Sequence, residues 1–215
     1  MQKEYNTVLN HVIVEMVEKK SRFLASVKHI DEEGEAIRFI SELKAKHWDA
    51  SHNVSSYYLG GDNIIQRFSD DGEPSGTAGM PVLEVIKKIE VQNLVIVVTR
   101  YFGGTLLGTG GLIRAYSKSA VLGIEAAGII KKQLCTLINI IAEYTLFGKI
   151  QNFLMINCYP IKEVVYNQDV EIKVYVKVDN VENFSEAIIE ITNARAIMEY
   201  GDNTYISLNK SGKLL

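Results

Sequence analysis

Leu94-Val95-Ile96-Val97-Val98-Thr99 is a continuous apolar, β-branched run, the mark of a strand buried on both faces. It leads into Arg100-Tyr101-Phe102-Gly103-Gly104-Thr105-Leu106-Leu107-Gly108-Thr109-Gly110-Gly111, and a helical pattern then runs from Leu112 to about Ala127. A second glycine-punctuated stretch, Arg67-Phe68-Ser69-Asp70-Asp71-Gly72-Glu73-Pro74-Ser75-Gly76-Thr77-Ala78-Gly79-Met80-Pro81, stands upstream in the same setting, after a strand and before a helix. Each loop therefore delivers free backbone N–H groups to a helix start, and glycine there lets a partner approach the backbone closely. Arg67, Arg100 and Arg114 accompany Asp70, Asp71 and Glu73, so the expected surface carries both signs of charge.

Working outward, residues 11–17 and 22–30 alternate as paired strands, and a helix follows from Glu32 to about Lys46 with Ala36, Ile37, Phe39, Ile40 and Leu43 on one face. Val54 to Leu59 and Ile64 to Phe68 flank Gly60-Gly61-Asp62-Asn63 as a hairpin. Pro81 opens a short helix to about Ile89. Past Lys131 and Lys132 the pattern restarts. A strand from Leu137 to Tyr144, a helix from Thr145 to Asn157 and a hairpin over 162–178 lead to a helix from about Val181 to Thr192. A last strand near Ala196 to Leu208 is broken around Gly201-Asp202-Asn203. That β-α-β-β-α-β order is the split βαβ, ferredoxin-like arrangement. The reading is an α+β protein of two domains, 1–132 and 133–215, the second offering its exposed sheet face as a further contact surface.

A chain of 215 residues with 47% apolar content buries a real core, and three prolines without a low-complexity tract exclude disorder. With 23 basic against 26 acidic residues the net charge is −3, so an anion site must be local. Cys135 and Cys158 lack metal-ligand spacing and read as free thiols packed in a core, in a reducing cytosol. No apolar run reaches the roughly 20 residues that span a bilayer, so the expected location is cytoplasmic.

Gly110-Gly111-Leu112 is a candidate anion seat, with Arg114 in its first turn and Lys118 one turn on. Arg114 pairs either with a carboxylate of the other loop or with a ligand phosphate. Ser69-Asp70-Asp71-Gly72-Glu73 lacks the acidic spacing of a calcium loop and reads as a turn held by side-chain-to-backbone bonds. His52 has no Gly-x-Ser-x-Gly elbow to work with and reads as a positioning residue, together with Asp70, Asp71, Glu73 and Ser75. Neither glycine run is a phosphate loop, because no lysine follows it, and neither is a dinucleotide fingerprint. Of Tyr101 and Phe102, one points inward and the other joins Arg67, Arg100 and Arg114, with Lys20 and Arg22 nearby, in a small basic-aromatic patch suited to stacking bases. The predicted anion or nucleic-acid set is Arg67, Arg100, Tyr101, Gly103, Gly104, Gly110, Gly111, Arg114 and Lys118, with no catalytic residue, metal or cofactor assigned.

Five segments in order resemble the IMPACT family, the YigZ-like proteins: Lys20 to Phe23, Ala50 to Asn53, Ser69 to Gly79, Val98 to Gly104 and Leu107 to Tyr116. The resemblance implies a domain of the ribosomal protein S5 domain 2 type followed by a ferredoxin-like domain similar to the C-terminal domain of elongation factor G. Val54 stands where a cysteine is expected after His52-Asn53, which argues against thiol chemistry. Eukaryotic relatives restrain the amino-acid-starvation kinase through an additional N-terminal domain that is not expected here, so that role is not carried over. What the resemblance implies is a translation-associated regulatory or binding protein engaging RNA, the ribosome or a ribosome-associated protein. The alternative is a small-molecule enzyme acting on a phosphorylated substrate between the glycine loops.

Overall fold

The run from Leu94 is the middle of a sheet. The computed structural model describes residues 2–209 and 211–215 and divides into two units, Met1–Lys131 and Lys132–Leu215. The first unit contains β1 (Glu4–Val8), β2 (Val12–Glu18), β3 (Ser21–His29), α1 (Glu33–Lys46), β4 (His52–Leu59), β5 (Ile65–Ser69), α2 (Gly79–Lys88), β6 (Leu94–Tyr101) and α3 (Thr109–Ala127). Strands run in the order β2-β3-β6-β4-β5, every pair antiparallel.

Strand pleating sends successive side chains to opposite faces, and β6 uses both. Leu94, Ile96 and Val98 pack with Val82 and Ile86 of α2 and with Leu112, Ala115, Tyr116, Ala120 and Ile124 of α3. Val95 and Val97 pack with Ala36, Phe39 and Leu43 of α1 on the other side. The result is three layers, α1, sheet, and the α2–α3 pair, and it explains why β6 shows no polar alternation.

The second unit takes in most of β7 (Ile129–Ala142), then α4 (Tyr144–Ile156), β8 (Ile161–Tyr166), β9 (Val170–Lys177), α5 (Val181–Thr192) and β10 (Ile197–Leu208). Its strands order β10-β7-β9-β8, the fourth-first-third-second order of a ferredoxin-like sheet. One face carries Ile138, Ile140, Val170, Ile172, Val174 and Val176 against Leu146, Ile150, Phe184 and Ile188 of the two helices. On the opposite face Leu137, Asn139, Glu171, Lys173 and Tyr175 are half-buried. The fold class is α+β in two domains, as the pattern predicts.

Four details differ from the sequence reading. Strand β10 is continuous through Gly201-Asp202-Asn203, because pairing with β7 overrides the local turn signal. Strand β7 begins at Ile129, eight residues before Leu137, so the Lys131-Lys132 pair lies on a strand. Strand β1 has too few residues to show a period. Cys158 is exposed, at a positive φ of 54°, while Cys135 is buried and burial pushes its thiol up to about 11. No helix among the described residues is long and apolar enough to cross a membrane.

Candidate functional site

The two glycine loops meet over the α2–α3 side of the first unit and enclose a cleft of about 550 Å3. Its polar lining is Ser51, His52, Glu73, Arg100 and Thr109, and its apolar lining is Pro74, Phe102, Leu106, Leu107 and Leu112.

At its base lies a buried ion pair. Glu73 and Arg100 have side chains only 3% and 6% exposed, and Arg100 Nη1 donates to Glu73 Oε1 at 2.6 Å. The Tyr116 hydroxyl, from the buried face of α3, donates to the same oxygen at 2.7 Å. Burial first, and then that hydrogen bond, hold Tyr116 well above the usual phenol range, so it remains a donor. Arg100 Nη2 reaches Ser21 Oγ at 3.4 Å, and the guanidinium lies over the rings of Phe23 at 5.5 Å and Phe102 at 5.6 Å. Removing charge from water is tolerated only with such pairing.

The remaining acidic residues diverge. Asp70 Oδ1 accepts from the N–H groups of Ala78 and Gly79, and its Oδ2 from Gly76, so it caps the start of α2, which has no cap of its own. Asp71 Oδ1 accepts from Lys44 Nζ and its Oδ2 from the Asn53 N–H, both at 2.6 Å. Burial works against ionisation of Asp71, but these two donors outweigh it and hold the carboxyl below its ordinary value. Asp71 sits at a positive φ of 47°, followed by Gly72 at 87°, which turns Glu73 back toward the cleft. The Asp71 carbonyl lies 2.8 Å from His52 Nδ1, which places the proton on that nitrogen and turns Nε2 toward Glu73 Oε2, 3.8 Å away.

The predicted basic face does not assemble as one. Arg67 shares the Ile65 side of β5, under α1, and its guanidinium donates to the Gln66 carbonyl. Tyr101 also faces the α1 side, where its hydroxyl meets His47 and Asp49. Arg100 is consumed in the buried pair. Phe102 is 49% exposed at the cleft rim and Tyr101 half-buried, so neither is core. Gly103 lies against the backbone of Lys20 and Ser21, and its N–H donates to Ser21 Oγ. Gly104, at a positive φ of 80°, has open space around it. Ser75 is exposed and does not line the cleft.

Helix α3 starts at Thr109 rather than Leu112, so Arg114 falls in its second turn, beyond the reach of the dipole penalty. Arg114 and Lys118 line a second groove of about 270 Å3 with Glu18, Lys19, Gly111 and Leu107, and Leu107 also lines the cleft. Lys19 reaches this groove from the β2–β3 turn, where it and Lys20 have positive φ values of 45° and 67°. Tyr116 at the base of the cleft and Lys19 in the second groove are residues that the sequence reading missed. A tyrosine four residues after Leu112 on an apolar helix face must find a partner for its hydroxyl, and that was the available signal.

Fold and cleft together define a two-domain α+β protein whose first domain holds a cleft between two glycine loops. The family model of the Impact N-terminal domain matches residues 19–124, and that of a Domain of unknown function (DUF1949) matches 140–195. The IMPACT family member YvyE of Bacillus subtilis is 44% identical over 89% of this chain and 88% of its own length. An IMPACT family member of Haemophilus influenzae is 29% identical over 91% of this chain and 96% of its own. A solved structure described as a hypothetical protein superposes with a TM-score of 0.60 at 30% identity, covering 92% of this chain and 97% of that one. The chain belongs to the IMPACT family.

Proposed function

We propose that this chain is a translation-associated regulatory or binding protein that engages RNA phosphates, on the ribosome or on a ribosome-bound factor, through the exposed end of α3 and the adjoining β2–β3 turn. The observation that carries the reading is the groove of Lys19, Arg114 and Lys118, three cations with no ion-pair or hydrogen-bond partner among the described residues. In a chain of net charge −3, three unspent cations against the single carboxylate of Glu18 leave this groove positive, a local anion-binding surface. The exposed N-terminus of α3 and the apolar side chains of Phe102 and Leu106 continue it. The translational part rests on membership of the IMPACT family.

The test is co-sedimentation with ribosomes across a salt series. Association falls with salt, and Arg114→Glu and Lys118→Glu each weaken it and flatten its salt dependence by about one unit of slope for every phosphate left without its cation. Association at full strength and full slope in both variants removes this groove from consideration. The alternative, an enzyme acting on a phosphorylated substrate, has an observation of its own in the His52–Glu73 pair facing the cleft. Turnover abolished by His52→Ala, with ribosome association untouched, would favour it.

A further inference from the structure

We infer that the cleft between the glycine loops is a binding site for a nucleoside phosphate, with the phosphate on the start of α3, a ribose hydroxyl on Glu73 and the base on Phe102. The inference shares the start of α3 and Phe102 with the surface proposed above but needs none of Lys19, Arg114 and Lys118, so its failure and that of the ribosome reading are distinguishable. A volume of about 550 Å3 falls within the roughly 300–1,000 Å3 of small-molecule sites.

One wall is the N-terminus of α3, a helix of 19 residues with no acidic residue in its first turn and no side-chain cap on Gly108. The Leu112 N–H closes the first helical bond to the Gly108 carbonyl, which leaves the N–H groups of Thr109, Gly110 and Gly111 without an intrahelical acceptor. Gly108 and Thr109 line the cleft, and the space at Gly108 is open. Such a helix start holds phosphate.

The opposite wall supplies an independent requirement. Glu73 is 3% exposed, and both of its donors, Arg100 and Tyr116, go to Oε1. Its Oε2 accepts no hydrogen bond among the described residues, and His52 Nε2 at 3.8 Å is beyond hydrogen-bond reach. Arg100 Nε, on a side chain 6% exposed, is a fully buried donor without a partner. The Glu73 side chain is more than nine-tenths buried, so the little surface its unpartnered Oε2 keeps belongs to the cleft it lines, and a donor for it comes from there.

That oxygen repels a phosphate and accepts a hydroxyl, so the two walls orient a ligand with its anion toward α3 and its hydroxyl toward Glu73. An acidic side chain accepting from a ribose hydroxyl is an established mode of nucleoside recognition. The rim supplies the third element, the ring of Phe102 with the Arg100 guanidinium 5.6 Å from its centroid and Leu106, 83% exposed, beside the cleft. Bases stack on such rings. Inorganic phosphate meets one of these three features and a sugar phosphate two, whereas a nucleoside phosphate meets all of them. A free mononucleotide and the phosphorylated end of an RNA share that chemistry.

The experiment is calorimetric titration of the intact chain with AMP, 2′-deoxy-AMP, ribose 5-phosphate and inorganic phosphate. AMP binds tightest, followed by ribose 5-phosphate and then phosphate, and loss of the 2′-hydroxyl weakens binding. Thr109→Asp places a carboxylate on the cleft wall at the helix start and weakens AMP binding about tenfold or more, without lowering the melting temperature, because an acidic residue suits a helix start. Phe102→Ala erases the difference between AMP and ribose 5-phosphate. A short 5′-phosphorylated RNA that displaces AMP, where its 5′-hydroxyl counterpart does not, identifies a chain end as the source; AMP binding without such displacement identifies the free mononucleotide. A dissociation constant for AMP above about 1 mM, binding no tighter than that of phosphate, or undiminished binding in Thr109→Asp overturns the inference. Each of these results leaves the ribosome assay standing.

Discussion

Replacing Arg100 by alanine should damage the fold before it damages any binding function. The Glu73 carboxylate, 3% exposed, would keep the Tyr116 hydroxyl and lose its only bonded cation. Breaking a buried pair by deleting one partner costs about 3–5 kcal/mol, because the survivor stays in place uncompensated. Loss of the guanidinium over Phe23 and Phe102 acts in the same direction. Against a total stability of roughly 5–15 kcal/mol that is a large fraction. At about 2–4 °C per kcal/mol for a chain of this size, the melting temperature should fall by roughly 6–20 °C. Urea unfolding followed by circular dichroism measures the loss, and hydrogen exchange on β6 and α3 peptides assigns it to the first unit. A cycle over Arg100→Met, Glu73→Leu and their double variant should show the double losing much less than the sum of its singles, since no orphaned charge remains. A loss below about 1 kcal/mol in Arg100→Ala, as for a solvent-screened surface pair, or strict additivity in the cycle, would refute the reasoning.

Asp70→Ala removes the acceptor for Gly76, Ala78 and Gly79 at the head of α2 and should cost about 1–2 kcal/mol in the same urea assay; an unchanged midpoint would refute the cap. Asp71 has its folded pKa lowered from 3.8, so its contribution is fully present above that value and is lost as pH falls through the lowered one. Acid titration of Asp71→Asn should therefore show a shallower loss of stability below pH 3.8 than the parent, and an identical acid limb would count against the Lys44 and Asn53 contacts. Gly103→Ala drives a methyl into the Lys20–Ser21 backbone, held in a turn of two positive φ angles, and should lower stability by about 1–3 kcal/mol or more in thermal unfolding; a neutral outcome would show that the turn yields. A polypeptide ending at Lys131 should unfold cooperatively, since the sheet β2-β3-β6-β4-β5 and both of its hydrophobic cores lie within it; a non-cooperative transition would show that the first unit depends on the second.

Legibility in this chain follows the range of the forces. The strand at Leu94, the helix over Val181–Thr192, the hairpins at Gly60-Gly61 and Asn167-Gln168-Asp169, and the order that makes the second domain ferredoxin-like were readable from residues two to four apart, where pleat and helical turn impose periodicity through covalent geometry alone. The glycine loops were readable as the place of the cleft, because glycine marks where backbone must turn sharply or be approached closely. Which cation meets which carboxylate was not. Arg100 and Glu73 are 27 positions apart, Glu73 and Tyr116 are 43 apart, and their meeting depends on how the sheet presents one pleat to α3. The same pleat puts Arg67 and Tyr101 on the α1 side, so three arginines that look equivalent along the chain serve three separate purposes. The sequence alone determined which segments are regular and where the backbone turns. Tertiary packing alone decided that Arg100 is spent in the core and that, among the described residues, Arg114 and Lys118 find no partner at the surface and one oxygen of Glu73 faces the cleft without a donor, because desolvation and charge pairing are set by neighbours distant in the chain.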